Sequence, residues 1–360
     1  MKITFILSQY NRISGGNRVL FEYANRLQEM GHAINLYVIA KPARWYRIDH
    51  WQRMINKKVN KISPESIDWM ENRIPINVLS YNDERLIPDS DVLFATAWQT
   101  ADFANRLPDS KGRKYYFVQH HESLWTREKD KAQKTYNMPF KKLVVSTWLK
   151  DILREKYQQE AEVFINPINK KLFYREGVNP GNATRVCLLH HDYAWKGYKD
   201  AMEAVRILRS RNSKIEPVVF GEKLEDPSSL FTDAGFTFEY HYRPTGETLR
   251  RLYSSCGVYL CASWYEGSGL PAMEAMACGA TLVTTDTGGS RDFALDGETA
   301  LVSPAQQPEQ LANNLARVLS DEILRDKLIE NGSRKIGEFS WEANSLRLEK
   351  LFQESLGDPK

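Results

Sequence analysis

In the stretch SWYEGSGLPAMEAMACG (residues 263–279) two carboxylates, Glu266 and Glu274, stand eight residues apart around a loop of small residues. The segment follows a short apolar run that reads as a strand. Pro271 is preset for the first position of a helix and Gly279 for its stop. The amides of residues 267–270 and the positive end of the helix dipole then form a cradle for an anion, and Gly267 and Gly269 let the backbone come close to it. A carboxylate beside a phosphate repels it unless it serves neutral hydroxyls, for which an ionised Glu is a double acceptor. A nucleotide sugar carries hydroxyls on both sides of its diphosphate. On this reading Glu274 takes a ribose, Glu266 the sugar, and Gly267, Ser268, Gly269 and Leu270 the diphosphate between them. Taken singly, Glu274 is also a favourable acid near a helix start and Glu266 an ordinary loop residue.

Such a loop needs a rigid sheet behind it, and the chain has the pattern for one. Short runs rich in Val, Ile and aromatics alternate with helical patterns, which predicts strand-helix-strand units and parallel sheets. Strands are expected at 2–8, 34–40, 76–80, 91–97, 114–119 and 142–146, with a first helix at 17–31 ended by Gly31. A second series starts after FINPINKKLF: strands at 185–191, 216–221, 237–242, 257–263, 280–286 and 299–304, and a helix at 198–211. The restart predicts two doubly wound halves joined near residues 166–180, with a crevice where the carboxyl ends of their strands face one another. At 360 residues the chain exceeds the ~250 to 300 at which single cores stop growing, so two domains are expected on length as well. The last segment, 339–356, reads as an amphipathic helix with Leu346, Leu348, Leu351 and Phe352 on one side, capping the second domain or packing back on the first.

Composition narrows the partners. With 49 basic and 46 acidic residues the net charge is +3, which gives no global field for nucleic acid, so any anion site is local. Cys187, Cys256, Cys261 and Cys278 lie in or beside apolar runs without metal-ligand spacing and read as buried thiols of a reducing compartment, without disulfides. The amino terminus reads as a first buried strand and not as a signal peptide. No stretch approaches the ~18 apolar residues that span a bilayer. A cytoplasmic protein follows, with peripheral membrane contact through the basic stretch 127–142 as one use of that stretch and a solvated face as the other.

The segment 258–304 closely resembles the E-x7-E region of retaining glycosyltransferases of family 4, which have the GT-B fold of two Rossmann-like domains facing across a cleft. SGGNRVL (14–20), LVVSTWLKDIL (143–153) and INPINKKLF (165–173) resemble that family's amino-terminal glycine loop, late first-domain strand and helix, and interdomain linker. The resemblance implies an acceptor-side domain at 1–168, a nucleotide-sugar domain at 169–340 and a terminal helix at 341–360. It puts Glu266 on the donor sugar, Glu274 on the ribose, and Gly15 and Gly16 near the diphosphate or acceptor. HHDYAWKGYKDAMEAV (190–205) is similar to the strand, loop and helix that carry an Arg and a Lys for the diphosphate. Lys196 matches the Lys, but His191 stands where the Arg is usual, and Arg243 or Arg185 could supply the charge instead. In FVQHHES (117–123) the resemblance implies that His120, with His121 second, approaches the transferred sugar; the His-His pair is closer to members that transfer deoxysugars such as rhamnose. Tyr242 and Arg243 fall where the family meets the nucleotide base.

The implied function is transfer of a sugar from a nucleotide-diphosphate sugar to a hydroxyl of a glycan or lipid-linked acceptor in polysaccharide biosynthesis, with retention and with neither cofactor nor metal. A nucleotide-sugar epimerase or phosphorylase on the same fold, or a noncatalytic glycan- or nucleotide-binding module, are the alternatives.

Overall fold

The computed structural model describes residues 1–40, 55, 57–175, 182–211, 213–222 and 224–357. Residues 176–180 of the expected linker and 358–360 of the expected terminal helix lie outside them. The chain divides into two compact units. Unit 1 comprises Met1–Val145, Leu149–Phe164 and Glu342–Lys360, and unit 2 Ser146–Trp148 and Ile165–Trp341.

In chain order the first half holds β1 (Lys2–Leu7), α1 (Gly15–Glu29), β2 (Ala33–Val38), β3 (Val59–Ile62), β4 (Ile76–Leu79), β5 (Val92–Ala95), α2 (Trp98–Asn105), β6 (Arg113–Val118), α3 (Lys129–Tyr136), β7 (Lys141–Val144), α4 (Thr147–Tyr157) and β8 (Ala161–Val163). Among the described residues the strands form one eight-stranded sheet in the order β3-β4-β2-β1-β5-β6-β7-β8. The central strands are apolar because helices cover both faces: every residue of β5 is buried, and all of β1 but Lys2. The two edge strands were not expected from the sequence. β3 (VNKI) pairs antiparallel to β4, and both it and β8 (AEV) are short and partly polar, as edges that must not recruit another chain tend to be.

The glycines of the first loop are placed differently from expectation. Ser14 is the N-cap of α1, its hydroxyl accepting from the Asn17 amide at 3.2 Å, so Gly15 and Gly16 are the first helical residues and not a loop before the helix. Gly31, with φ of +89°, follows the helix end.

The second half continues with β9 (Asn182–His190), α5 (Tyr198–Ser210), β10 (Glu216–Gly221), α6 (Ser228–Ala234), β11 (Glu239–Tyr242), α7 (Gly246–Ser255), β12 (Cys256–Cys261), α8 (Leu270–Ala277), β13 (Thr281–Thr285), β14 (Ala300–Ser303), α9 (Pro308–Ser320), α10 (Glu322–Gly337) and α11 (Trp341–Gly357). Its sheet is parallel throughout, in the order β11-β10-β9-β12-β13-β14. The chain works outward from β9 to one edge and then returns to β12 on the other side. The carboxyl ends of β9 and β12 are therefore the switch point, where loops diverge and leave a crevice. Val186, Leu188, Val205, Leu208, Val258 and Leu260 are central to the core beneath. Cys187, Cys256 and Cys278 are buried free thiols and Cys261 is half-buried. Among the described residues no helix is long and apolar enough to cross a membrane.

From Glu342 onward α11 belongs to unit 1. Phe352 is fully buried, its ring 4.8 Å from Tyr115 and 5.9 Å from Phe94. Arg347 bonds Glu162 and the Val163 carbonyl, pinning the helix beside β8. The expected apolar face is corrected at one position. Leu348 is buried but Leu346 is 60% exposed, since residues two apart on a helix point to different sides. Replacing Phe352 by Ala should remove roughly 3–5 kcal/mol of unit 1 stability, as large core truncations do, while Leu346→Ala should change it by less than about 0.5 kcal/mol; urea unfolding of both variants checks the contrast.

Candidate functional site

At the switch point of unit 2, backbone constraints come first. Gly197 follows the turn after β9 with φ of +67°, and a Cβ there would lie 1.8 Å from the Ala262 carbonyl oxygen, so only glycine lets this loop close on the end of β12. Having closed, the loops are joined: the Trp264 amide donates to the Trp195 carbonyl at 2.8 Å, and the Trp264 indole to Asp200 at 2.6 Å. Glu266 is clamped on both sides of its Cα. Its amide donates to the Thr287 carbonyl at 2.9 Å and its carbonyl accepts from the Gly289 amide at 3.2 Å. Gly289 passes so close that a Cβ would come within 2.3 Å of the Gly267 carbonyl oxygen.

These constraints bring Lys196 and Glu266 together. The Lys196 ammonium lies 2.7 and 2.9 Å from the two carboxylate oxygens, with side-chain exposures of only 18% and 12%. The Ser263 hydroxyl donates to Glu266 Oε1 at 2.8 Å. Sequence reading missed the aromatic residues that frame the pair. Tyr193 stacks on Trp195 with centroids 5.6 Å apart, Trp195 stacks on Tyr265 at 5.3 Å, and the Lys196 ammonium lies 4.6 Å from the Trp195 ring. The signal was present in the sequence, since each charged residue directly follows an aromatic, in AWK and in WYE.

A recess lined by Lys196, Ser263, Glu266, Gly269, Pro271 and Ala272 opens beside the start of α8. Gly269 is the N-cap with φ of +94°, Leu270 the first helical residue and Pro271 the second, one place later than expected. Pro271 has no N–H and the Ala272 and Met273 amides donate to the Gly269 carbonyl at 3.0 and 3.3 Å, so what α8 offers the recess is the positive end of its dipole and the amides of the loop leading into it. Gly267, Ser268 and Leu270 are buried around it. Glu274 lies just past the first turn of α8 and is 2% exposed; the Tyr253 hydroxyl donates to it at 3.5 Å.

His191 sits directly after β9 with its ring 4.6 Å from Tyr193. Its Nδ1 accepts the Tyr193 amide at 3.1 Å. A nitrogen that accepts carries no proton, so this contact sets the tautomer with the proton on Nε2. His191 is thereby a hydrogen-bond donor through Nε2 and not a counterpart of a guanidinium. Arg185 is corrected as an alternative cation: it lies near the amino end of β9 and pairs with Glu239 at 2.8 Å, at the wrong end of the sheet. Arg243 and Tyr242 are exposed at the end of β11, on the sheet edge, with Arg243 at φ of +46° and its amide donating to Gly221 at 2.8 Å. Among the described residues no cluster of three or more His, Cys, Asp or Glu is arranged to hold a metal.

In unit 1 the candidates lie at the ends of β1 and β6. Gly16 meets the Gln119 amide, which a Cβ would approach to 3.4 Å. His120 is half-buried, with its ring edge-to-face on Trp125 at 6.3 Å. His121 turns inward, between Tyr157 (3.2 Å), Ser123 (3.3 Å) and the Tyr136 ring, and burial pushes its pKa down to about 4. Next to it is a group the sequence reading missed, Glu122. Its carboxylate accepts the Trp98 amide at the start of α2 at 2.8 Å and the Tyr116 hydroxyl at 3.1 Å, and burial raises its pKa to about 7. Of the basic stretch 127–142, Arg127, Lys129, Lys131, Lys134 and Lys141 are exposed, with Lys131 paired to Glu128, but Lys142 is corrected: it is buried in β7 and its ammonium donates to the Met138 and Phe140 carbonyls and to Gln159.

The family profile Glycosyl transferases group 1 matches residues 170–335, which contain the whole Lys196 and Glu266 site. Among curated relatives, an uncharacterized glycosyltransferase of Methanocaldococcus jannaschii is 25% identical over 59% of this chain and 59% of its own length. The O-antigen biosynthesis protein RfbC of Myxococcus xanthus is 24% identical over 96% of this chain and 26% of its own. A Campylobacter jejuni N,N'-diacetylbacillosaminyl-diphospho-undecaprenol alpha-1,3-N-acetylgalactosaminyltransferase is 23% identical over 53% and 50%. The chain thus spans less than two thirds of the length of these relatives. Among solved structures, HepE of Anabaena in complex with UDP and glucose superposes with a TM-score of 0.77 at 13% identity, over 98% of this chain and 100% of that one. Sucrose-phosphate synthase of Thermosynechococcus elongatus gives 0.74 at 16%, over 98% of both. At such identities the likeness establishes the fold, and it is the GT-B fold.

Two outcomes follow from this geometry. Gly197→Ala should destabilise unit 2 by more than about 2 kcal/mol, since it adds strain at positive φ to a direct clash, and thermal unfolding reads it. Glu122 and His121 oppose one another with pH. A carboxyl raised from 4.5 to about 7 stabilises the fold fully below 4.5 and less as pH climbs through 7, whereas a histidine lowered from 6.5 to about 4 stabilises it above 6.5 and less as pH falls through 4. Their contributions cancel between about pH 4.5 and 6.5. Glu122→Gln should leave the histidine term alone, so that stability rises with pH over that window by up to about 1.4 kcal/mol per pH unit relative to the parent, measured by urea unfolding at several pH values.

Proposed function

We propose that this chain, whose residues 170–335 carry the Glycosyl transferases group 1 domain on a GT-B fold, is a retaining glycosyltransferase of family 4 that moves a sugar from a nucleotide-diphosphate sugar to a hydroxyl of a glycan or lipid-linked acceptor. The observation that carries the reading is the Lys196 and Glu266 pair at the start of α8, a cation and a hydroxyl acceptor beside the positive end of a helix dipole. The names of similar proteins point the same way: one acts on a diphospho-undecaprenol sugar, one belongs to O-antigen biosynthesis, and HepE is solved with UDP and glucose.

In the reaction the bond from the sugar's anomeric carbon to the diphosphate oxygen breaks and a bond to the acceptor oxygen forms. The acceptor proton passes to a phosphate oxygen on the same face of the sugar, so configuration is kept. Lys196, the amides of 267–270 and the Nε2 proton of His191 offset charge as the diphosphate departs, in a partly buried site where such preset donors act strongly. Glu266 takes sugar hydroxyls and Glu274 the ribose, which enters beside Tyr253 once the buried carboxylate is reached. Tyr242 and Arg243 meet the base. The roles implied for Gly15, Gly16 and His120 belong to the same reading, as does a deoxyhexose as the sugar. No metal or cofactor takes part. The protein works in the cytoplasm, with the exposed basic residues of 127–142, Lys142 excepted, for membrane contact.

Thermal-shift measurement against a panel of nucleotide sugars is the test, since a ligand that binds only the folded state raises its midpoint. At least one member should stabilise the parent protein, and a panel without any response sinks the reading in favour of a noncatalytic module. With the responding donor, Lys196→Ala should cut kcat/KM by about 100-fold or more, as loss of a charged group on the leaving oxygen does, and Glu274→Gln should raise the donor KM by about tenfold or more. Sugar phosphate formed at the full rate from the nucleotide sugar and inorganic phosphate, with no hydroxyl acceptor present, would favour a phosphorylase instead.

A further inference from the structure

We infer that Glu266 is also a specificity-determining residue: its charge sets the site against a nucleoside diphosphate that lacks a sugar, and so speeds release of the product. The inference rests on the donor reading given above and concerns what the pair with Lys196 does before and after transfer.

Glu266 holds both oxygens against the Lys196 ammonium, at 2.7 and 2.9 Å, at 12% exposure. The Lys196 charge is thus already engaged within the protein. The carboxylate has little freedom to withdraw, because its backbone is bonded to Thr287 on one side and Gly289 on the other, and Ser263 holds Oε1 at 2.8 Å. An anion in the cradle at the start of α8 must therefore sit beside a fixed negative charge.

What resolves the conflict depends on the ligand. A nucleotide sugar brings hydroxyls that donate to Glu266, replace the ammonium there and free Lys196 for the diphosphate. A nucleoside diphosphate has no hydroxyl at that place and one more ionisation, because a terminal phosphate carries a second proton that leaves near pH 6. If Lys196 stays with Glu266 the phosphate lacks its cation. If Lys196 turns to the phosphate, a largely buried carboxylate loses its cation, which is costly. Either way the product is held less well than the donor. The aromatic stack of Tyr193, Trp195 and Tyr265 keeps Lys196 within reach of both partners, so the exchange needs no rebuilding of the loop.

Calorimetric titration with UDP, GDP, ADP and dTDP separates the outcomes, using the parent protein, Glu266→Gln, Glu266→Asp and Lys196→Ala, each first shown to unfold cooperatively. Glu266→Gln keeps the shape and removes the charge, and it should bind the preferred diphosphate about tenfold tighter than the parent, the equivalent of about 1.4 kcal/mol, while binding the intact nucleotide sugar no tighter. Glu266→Asp keeps the charge and should stay within about twofold of the parent, and Lys196→Ala should bind less tightly. If the parent binds a diphosphate and Glu266→Gln binds it equally or more weakly, the inference fails and the donor reading stands. If the folded parent binds no diphosphate and no nucleotide sugar, the donor reading fails and the inference falls with it.

Discussion

A cation and a carboxylate are held against each other in a place where water reaches little of either, and the rest of unit 2 is arranged to make that tolerable. Taking one charge out of water costs several kcal/mol, and an opposite charge at hydrogen-bond distance with further bonds to its oxygens offsets it. The Lys196 and Glu266 pair meets this condition through Ser263, the Trp195 ring and a backbone clamp from Thr287 and Gly289. Each of these lies on a loop at the carboxyl end of β9, β12 or β13, which are adjacent in the sheet. A site whose partners come from neighbouring strand ends is positioned by the hydrogen bonds of the sheet itself. That is why the pair can be held closely by short loops.

The switch-point rule explains where the pair lies, and the glycines explain how the loops come close enough. At Gly197 the conflict would be with the Ala262 carbonyl and at Gly289 with the Gly267 carbonyl, so both are places where one strand-end loop crosses another at backbone contact. The helix that follows adds the positive end of its dipole. Charge, hydrogen-bond donors and a recess thus meet at one point because the topology directs several loops there.

Unit 1 has its own strand-end cluster, built on a different balance. Glu122 joins the start of α2 to the end of β6 through the Trp98 amide and the Tyr116 hydroxyl, two neutral donors, and burial shifts its carboxyl toward the protonated form. His121 next to it is favoured neutral for the same reason. The two acids Glu266 and Glu122 differ in what lies within bonding distance, an ammonium for one and neutral donors for the other.

Much of the fold was legible because buried parallel strands are apolar along their whole length, as in β1, β5 and β12. β3 and β8 were not, since an edge strand is short and mixed and looks like loop. The acids, the glycine loop and Lys196 were visible as residue types at informative spacings. Their partnership was not: Lys196 and Glu266 are 70 residues apart, and only the adjacency of β9 and β12 brings them within 2.7 Å. The same holds for the Nδ1 contact of His191, a matter of where one amide points, and for Glu122, an unremarkable acid in the sequence until burial gives it a raised pKa. Residue types and periodicity dictate which segments are strands, which loops can cradle an anion and which side chains can carry charge. Which of those charges meet, and which stay neutral, depends on distances and solvent exclusion between segments far apart in the chain, and these exist only once the sheet has formed.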